Sequence, residues 1–210
     1  MPEAASLFSA LVERDHREGL AGARPERLLS AGRPIPGVEV RVVDEQGRDA
    51  PAGEVGEVWV RGPNVMQGYW NLPEETAAVL DAGGWYHSRD MGRLDASGYL
   101  TLVDRKGDMI VSGGENVYST EVEDAIYRHE GVLEACVVGV PDPEWVEAVC
   151  AVVVRNPGAE LDEAGLVAHC KRELSRYKVP KRVVFVDELP KGGTGKVLKH
   201  VVRQQQAEAA

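Results

Sequence analysis

Lys196 stands in a glycine-rich loop near the end of the chain, where a single ammonium on a flexible backbone suggests phosphate chemistry. The segment "LPKGGTGKVLKH" places glycines at 192, 193 and 195, just before Lys196. The common nucleotide loop G-x-x-x-x-G-K-[ST] needs a glycine five residues before the last glycine and a hydroxyl after the lysine. Pro190 and Val197 occupy those positions here. Two interpretations stay open: Lys196 meets phosphate by another route, or the segment is only a turn.

Charge is distributed unevenly along the 210 residues. The net charge of -10 argues against general binding to nucleic acid or to a membrane surface. The stretch 171–200 nevertheless holds nine Lys or Arg residues against three Asp or Glu residues. This basic end suits a compact anionic ligand, and a solvated basic face is an equally good interpretation.

The cysteines and histidines do not indicate a metal site. Cys136, Cys150 and Cys170 are far apart and odd in number, so we expect neither a zinc site nor a disulfide framework. Two of the three lie in apolar runs and are expected to be core thiols. With no signal peptide and no apolar run of 18 residues, the sequence predicts a cytoplasmic protein without a membrane span.

The elements that must position the loop change character along the chain. "VEVRVVD" (38–44) and "GEVWVRG" (56–62) read as strands, and 92–105 reads as a hairpin turning at "DASG". A short helix is predicted over 73–81 because proline lies in its first turn and acids follow. Residues 1–104 are therefore predicted to form a β-rich subdomain, part of a β-barrel.

Helices alternate with strands after Arg105. "TEVEDAIYRHEG" is predicted to be a helix that begins with a capping box of Thr120 and Glu123 and ends at Gly131. A second helix is predicted over 162–174, and three apolar runs read as strands: "LEACVVGV", "AVCAVVV" and "RVVFVD". The predicted fold class is therefore α+β, with a boundary at 104–105 and a small α+β domain over 105–210.

Four stretches recur in the order known from one family: "GGWYHSRDMGRLD", "LVDRKGDMIVSGGENVYSTEVE", "GVPDPEWVEAVCAVVV" and "YKVPKRVVFVDELPKGGTGKVLK". From about Leu28 to the end, the chain resembles the C-terminal part of the AMP-forming adenylating enzymes. The likeness is greatest to bacterial acyl-CoA synthetases of the fatty-acid and medium-chain type. It implies a reaction in which a carboxylate and ATP give acyl-AMP and pyrophosphate, and CoA then gives acyl-CoA and AMP. ATP, Mg²⁺ and CoA are the implied ligands.

The resemblance also implies roles for single residues. Lys196 would neutralise the negative charge that gathers when a carboxylate attacks the α-phosphate. Asp90 would accept hydrogen bonds from the two ribose hydroxyls, and Arg105 would also reach the ribose. The family usually reads T-G-D where this chain reads Ser88-Arg89-Asp90. Asp90 also fits the pattern of a solvated turn residue, and Arg105 that of a surface arginine.

The small domain would be a mobile lid, with Gly107 at the hinge position where the family commonly has Asp or Lys. Glycine there can absorb a large change of backbone angle. The resemblance assigns the pantetheine arm of CoA to Ser112, Gly113, Gly114, Glu115, Trp145 and Tyr177. "SGGEN" also fits a tight turn, and both aromatic residues fit packing roles. Val146 follows Trp145 where the family usually has glycine.

The resemblance leaves most of a full enzyme unaccounted for. No phosphate loop S-[ST]-G-T-[TS]-G is present, and "MPEAA" matches the end of a Y-G-[MS]-T-E segment, in which Glu3 would be the magnesium ligand. We therefore expect a C-terminal fragment that is inactive alone, with open strand edges and a segment over 1–30 that is loose or rearranged. Its partners would be a small carboxylate, ATP, CoA and a complementing N-terminal domain. Two alternatives remain: an adenylation module that loads an acyl-carrier protein, and a non-catalytic binding or regulatory module that could form a homodimer.

Overall fold

The computed structural model describes residues 1–5 and 7–209, which divide into two compact units. Unit 1 is Met1–Lys106 and unit 2 is Gly107–Ala210. The division lies two residues after the boundary predicted from the sequence. The mixture of helices with separate sheets in both units confirms the predicted α+β class.

Unit 1 is rich in strands. Its strands are β1 (Ser9–Ala10), β2 (Arg33–Pro34), β3 (Glu39–Val43), β4 (Gly56–Arg61), β5 (Tyr86–Leu94) and β6 (Leu100–Arg105). Its helices are α1 (Glu13–Leu20) and α2 (Pro73–Ala77), with 3-10 turns at Pro2–Ala4 and Pro25–Leu29. The predicted helix over 73–81 is thus shorter than expected, because Leu80 already pairs with Tyr86 in an isolated β-bridge.

An antiparallel sheet in the order β3-β4-β5-β6 forms the body of unit 1. Val58 and Val60 occupy alternate positions along β4, so both side chains lie on the same face of the sheet and pack in the core with Leu100. The predicted hairpin over 92–105 is confirmed by the pairing of β5 with β6. The sheet is open, and its outer strands are partly covered: Ala50 donates to Val42 on β3, and Ala31 donates to Leu100 on β6.

The first 30 residues are not loose within the part that the structure describes. The carboxylate of Asp15, on α1, accepts a 2.6 Å hydrogen bond from the hydroxyl of Tyr99 and lies 3.5 Å from the guanidinium of Arg27. Asp15 is almost fully buried. Of the two predicted states, loose or rearranged, the loose one is therefore wrong, because the buried Asp15 carboxylate joins α1 to Tyr99, directly before β6.

Unit 2 alternates strands with helices. Its strands are β7 (Ile110–Ser112), β8 (Glu115–Val117), β9 (Val132–Asp142), β10 (Val146–Arg155) and β11 (Arg182–Phe185). Its helices are α3 (Ser119–Tyr127), α4 (Glu163–Glu173) and α5 (Lys199–Glu208), with a 3-10 turn at Arg176–Lys178.

Strand β10 is the centre of the unit 2 sheet. β9 runs antiparallel along its whole length, β11 runs parallel to its second half, and β7 meets it at Val146. Alternate residues of β10 enter two separate apolar clusters, because side chains on a strand point alternately to opposite faces. Both faces are therefore buried, which explains the continuous apolar runs in the sequence. All three cysteines are buried: the two in apolar runs, Cys136 and Cys150, as expected, and Cys170 on α4 as well.

The start of α3 differs from the prediction. The helix begins at Ser119 with Tyr118 as its N-cap, so Thr120 lies inside the first turn and cannot be the cap of a capping box. Glu123 instead accepts a hydrogen bond from the backbone N–H of Val137 and pairs with Lys199. The Glu123 carboxylate, which the local sequence pattern assigned to the capping box, thus contacts residues on β9 and α5.

Over residues 1–5 and 7–209, every helix is too short or too polar to cross a membrane.

Candidate functional site

Asp90 and Arg105 lie side by side on neighbouring strands of unit 1. They are register partners of β5 and β6, and the guanidinium Nε is 3.0 Å from Oδ1 of the carboxylate. The Asp90 side chain is 21% exposed and that of Arg105 is 71% exposed. The structure therefore brings together the two residues to which the resemblance assigns the ribose. The arrangement offers a carboxylate and a guanidinium to one ligand.

The backbone before Asp90 forms a bulge with a left-handed residue at its apex. Arg89 has a φ of 59°, a conformation that glycine adopts at little cost and other residues adopt rarely. The Ser88 hydroxyl donates to the carbonyl of Val58 at 2.6 Å and accepts from the N–H of Asp90 at 3.0 Å. Arg89 therefore keeps the turn that a glycine would make, and Ser88 fixes the direction of Asp90.

A cavity of about 340 Å³ lies against Arg105 and the Ser88–Arg89 turn. Glu3, Tyr69 and Tyr86 also line it. The Tyr69 hydroxyl donates to Glu3 at 3.3 Å. Burial raises the pKa of the Tyr86 phenol, so that side chain is a neutral hydrogen-bond donor at neutral pH. The cavity lining thus combines two carboxylates, Glu3 and Glu75, with two phenols and the Arg105 guanidinium.

Burial also acts on the Asp90 carboxyl. It raises the pKa of Asp90 above the ordinary value, and the nearby positive charge of Arg105 offsets part of that shift. A carboxylate that is partly desolvated gains more from hydrogen-bond donors than one in water. The role of Asp90 as a contact to the ribose hydroxyls stays a prediction.

Glu3 fits a magnesium ion only as one ligand among several. The described residues contain no group of three or more His, Cys, Asp or Glu side chains that could hold a metal. Mg²⁺ commonly takes one or two protein carboxylates and completes its shell with phosphate oxygens and water. Glu3 lines this cavity together with a second carboxylate, Glu75, and is compatible with that mode of binding.

Gly107 is the first residue of unit 2 and lies in the turn between β6 and β7. A Cβ added at Gly107 would meet no atom within 4 Å. The position is therefore free of packing constraints, as a hinge would require. Its role as a hinge stays a prediction.

The "SGGEN" segment forms the turn between β7 and β8. Gly113 and Gly114 have φ values of 62° and 83°, which are those of a two-residue hairpin turn. The tight-turn interpretation is thus what the backbone shows, and it does not exclude binding. Glu115 is exposed at the start of β8, and the Ser112 hydroxyl is buried without a hydrogen-bond partner among the described residues.

Trp145 lies against the glycine turn, whereas Tyr177 packs elsewhere. The N–H of Gly113 donates to the Trp145 carbonyl at 2.9 Å, and a Cβ on Gly113 would come within 2.8 Å of the indole ring. The Lys181 ammonium lies 4.5 Å from the centre of that ring. Tyr177 is partly buried against the apolar cluster that includes Val122, Ile126 and Leu166. Its packing role is therefore evident, and its assignment to the pantetheine arm stays a prediction.

Lys196 is exposed on a loop whose base is closed. An isolated bridge joins Lys191 to Val197, and the N–H of Gly192 donates to the Lys196 carbonyl at 2.9 Å. Lys191 is held by an ion pair with Glu134. The loop is thus anchored at its base while Lys196 points its ammonium into solvent.

Sequence reasoning missed the groups that support the site. Glu57 is a buried carboxylate on β4 that contacts both Arg89 and Lys106. Arg203, on α5, donates to the carbonyl of Gly107 and pairs with Asp108. Strand alternation assigns Glu57 to the solvent side of β4, and nothing local marks Arg203. Only the pairing of distant segments reveals either residue.

Known proteins match both units. The family model described as "AMP-binding enzyme" matches residues 3–70, and that described as "AMP-binding enzyme C-terminal domain" matches residues 121–196. Together the two matches cover about two thirds of the chain. A feruloyl-CoA synthase of Amycolatopsis sp is 49% identical over 180 residues, which is 86% of this chain and 36% of that protein.

Two further proteins extend the comparison. The medium/long-chain-fatty-acid–CoA ligase FadD8 of Mycobacterium tuberculosis is 43% identical over 215 residues, covering 99% of this chain and 36% of the ligase. The crystal structure of ATP-bound MatB from Rhodopseudomonas palustris superimposes with a TM-score of 0.81 at 40% identity, covering 86% of this chain and 36% of MatB. The chain spans about 36% of the length of each of these relatives. Matches to both family models, in the order that the motifs predict, show that the chain belongs to the AMP-forming adenylating enzyme family.

Proposed function

We propose that this chain supplies the ribose contacts and the lid of an ATP-dependent, AMP-forming acyl-CoA synthetase. The reaction joins a carboxylate to AMP with release of pyrophosphate, and CoA then displaces AMP to give acyl-CoA. The observation that carries the proposal is the Asp90–Arg105 pair beside the cavity of Glu3, Tyr69 and Tyr86. The family membership supplies the reaction class, since relatives named as CoA ligases match most of this chain.

Asp90 and Arg105 suit the sugar of the nucleotide. A carboxylate has two acceptor oxygens, which matches the two donors of a vicinal diol. Arg105 already satisfies one oxygen in part, and its exposure leaves further N–H groups for the ligand. Mg²⁺ bound at Glu3 would neutralise phosphate charge in the same cavity.

Lys196 supplies positive charge to the first half-reaction. Attack of a carboxylate on the α-phosphate brings two anions together, and an ammonium between them lowers the barrier most where water is excluded. An exposed lysine on a loop with a closed base is free to enter such a site. Gly107 would be the pivot of the unit that carries it.

The acyl acceptor is proposed to be the thiol of CoA. Its narrow pantetheine arm would pass the turn of Ser112, Gly113, Gly114 and Glu115, with Trp145 as one wall. The absence of side chains at the two glycines lets the ligand approach the backbone closely. Tyr177 would be a more distant part of the same wall.

The identity of the acid is proposed only as a small or fatty carboxylic acid. Relatives of similar identity to this chain are named for an aromatic acid and for medium- and long-chain fatty acids. A region shared by enzymes with such different acids does not decide between them.

We propose that this chain alone has negligible synthetase activity. Robust carboxylate-dependent release of pyrophosphate by the purified chain would contradict that proposal.

Nucleotide binding by the chain itself tests the ribose site. We expect AMP, titrated into the millimolar range, to shift the amide resonances of Tyr86, Asp90 and Arg105. Asp90→Asn should abolish the shifts because an amide presents only one acceptor oxygen. Asp49→Asn is the matched control, since Asp49 pairs with Arg41 at another part of unit 1. Unchanged AMP affinity in Asp90→Asn would overturn the assignment.

A chimera tests Lys196. This chain would replace the matching region of the Amycolatopsis feruloyl-CoA synthase, and pyrophosphate release would be followed with ferulate and ATP. We expect Lys196→Ala to slow adenylation by about a hundredfold or more. Lys191→Ala, in the same loop, is the control and should have a small effect. Normal adenylation in the Lys196→Ala chimera would remove Lys196 from the mechanism.

A further inference from the structure

Glu57 bridges two segments that are far apart in the sequence. Its side chain, on β4, is 11% exposed. One carboxylate oxygen accepts from the backbone N–H of Arg89 at 3.1 Å, and the other accepts from the Lys106 ammonium at 2.9 Å. The N–H of Lys106 donates to the carbonyl of Arg89 at 2.8 Å, which closes a ring of three contacts. We call Glu57, Arg89 and Lys106 the Glu57 clamp.

The clamp is located between two functional positions. Arg89 is the left-handed residue directly before Asp90, and Lys106 is the last residue of unit 1, directly before Gly107. All of its atoms belong to unit 1, so its geometry does not depend on the position of unit 2.

Only a carboxylate satisfies both partners. Each partner is a donor, one is a cation, and neither can accept a hydrogen bond in return. Hydrogen bonds that involve charged groups are roughly twice as strong as those between neutral groups. A glutamine at position 57 could still accept from the Arg89 N–H but would lose the ionic contact with Lys106.

We propose that Glu57 is a positioning residue that couples occupancy of the Asp90 site to the rigidity of the backbone before the hinge. The inference rests on the proposed function, because it takes Asp90 as the nucleotide contact and Gly107 as the hinge. A ligand that orders Asp90 also orders Arg89, and the clamp passes that order to Lys106. By linkage, a restrained Lys106 favours the bound geometry of Asp90 to the same extent.

Amide hydrogen exchange of the chain, with and without AMP, tests this coupling. In the wild-type chain we expect AMP to slow exchange of the Lys106 amide. In Glu57→Gln the Lys106 amide should exchange about tenfold faster without AMP, because its ionic anchor is lost. AMP bound to that variant should then slow the Lys106 amide less than about twofold, since little restraint is transmitted.

Three controls separate coupling from general destabilisation. Glu39→Gln removes a more exposed ion pair, with Arg61, on the same sheet and should leave the Lys106 amide unchanged. Lys106→Met should reproduce Glu57→Gln, and Lys106→Arg should retain the AMP effect because it keeps the charge. A clamp with a merely structural role would change the unfolding midpoint and leave the AMP effect intact.

The possible outcomes distinguish this inference from the proposed function. If Glu57→Gln binds AMP and the effect on Lys106 is lost, the coupling is supported. If AMP binds and still protects Lys106 in that variant, the coupling is overturned while the nucleotide site stands. If AMP does not bind the wild-type chain, the nucleotide site itself is wrong and the coupling falls with it.

Discussion

Two residues stand in left-handed backbone positions where this family usually has glycine. Arg89 and Val146 have φ values of 59° and 69°. For an L-residue this conformation costs roughly 1–2 kcal/mol, and a β-branched residue such as valine is an outlier there. The fold has kept both turns, so the surrounding contacts must hold them. At Val146 those contacts are the pairings with Asp142 and Ser112.

Replacing Val146 with glycine should therefore stabilise the chain. We expect Val146→Gly to raise the free energy of unfolding of unit 2 by about 1 kcal/mol. Relief of the backbone strain stabilises the folded state, and the greater conformational entropy of glycine in the unfolded chain offsets part of that gain. The Val146 side chain is 70% exposed, so little packing is lost. Urea unfolding followed by tryptophan fluorescence measures the change.

Val146→Ala is the matched control for that experiment. Alanine removes the β-branch but keeps an L-residue in the left-handed conformation. The free energy of unfolding should therefore rise less in Val146→Ala than in Val146→Gly. Equal stability of the two variants would show that the φ of residue 146 is not a source of strain.

At the scale of elements, single charged side chains fasten helices to the rest of their unit. Asp15 attaches α1 to the start of β6 through Tyr99, and Arg203 attaches α5 to the turn at Gly107 and Asp108. Lys199, one turn earlier on α5, donates to Ser119 at the start of α3. The helix that follows the Lys196 loop is thus joined to both the Gly107–Asp108 turn and α3.

Asp15 should make the stability of unit 1 depend on acid pH. The hydrogen bond from Tyr99 is the main cause that lowers the pKa of Asp15 below its ordinary value. A lowered pKa means that the ionised Asp15 carboxylate stabilises the folded state. This contribution to the free energy of unfolding is fully present above the ordinary aspartate pKa of about 3.9. It is lost as the pH falls through the lower pKa that Asp15 has in the folded protein.

Thermal unfolding across acid pH tests this dependence. Asp15→Asn should have a lower melting temperature than the wild type at pH 7, and the difference should narrow below pH 4. Tyr99→Phe should show a weaker form of the same behaviour. A difference that stays constant down to pH 2 would mean that the charge of Asp15 is not what stabilises α1.

Arg203 should matter more for stability than an exposed arginine on the same unit. Its guanidinium donates to the Gly107 carbonyl at 3.0 Å and to Asp108 at 3.2 Å, and both side chains are at most half exposed. We expect Arg203→Met to lower the free energy of unfolding of unit 2 by about 1.5 kcal/mol, the lower end of the range for hydrogen bonds to charged groups.

Arg128→Met is the corresponding control, because Arg128 pairs with Glu173 in a more exposed position. Exposed ion pairs contribute about 0.2–1 kcal/mol to the free energy of unfolding, so the loss in Arg128→Met should lie near the lower end of that range. Chemical denaturation of both variants measures the two effects. If Arg128→Met proves as destabilising as Arg203→Met, the contact of Arg203 with the Gly107–Asp108 turn adds no stability beyond that of an exposed ion pair.

At the scale of the molecule, each unit has apolar clusters of its own. The two clusters of unit 2 are built from residues between Ile110 and Val202, and the main cluster of unit 1 lies between Val38 and Leu100. Unit 1 also exposes large apolar side chains, with Trp70 88% exposed. Unit 2 therefore meets the conditions for independent folding better than unit 1 does.

A protein that comprises residues 107–210 alone should fold. We expect dispersed amide resonances and a single cooperative unfolding transition, since no residue of either unit 2 cluster is removed. Residues 1–106 alone should associate more readily because of their exposed apolar side chains and sheet edges. Circular dichroism and light scattering measure the two properties. Loss of structure in 107–210 would show that unit 2 depends on unit 1.

The sequence by itself determined the α+β class, the main strands, the buried cysteines and the family. These follow from local periodicity and from motifs whose residues lie close together in the chain. Helix α4 illustrates this, because Asp162 caps it as the pattern of its first turn favours. Roles such as those of Gly107, Lys196 and the pantetheine residues come from the resemblance and stay predictions.

Only the tertiary structure decided which distant groups meet. In the structure α3 begins at Ser119, and Glu123 contacts β9 and α5 because those partners compete with the local capping interaction. The tertiary structure also set Asp90 against Arg105 through strand register, and it buried Glu57 between Arg89 and Lys106. Such contacts depend on segments up to 76 residues apart, the separation of Glu123 and Lys199, and local sequence patterns carry no information about that pairing.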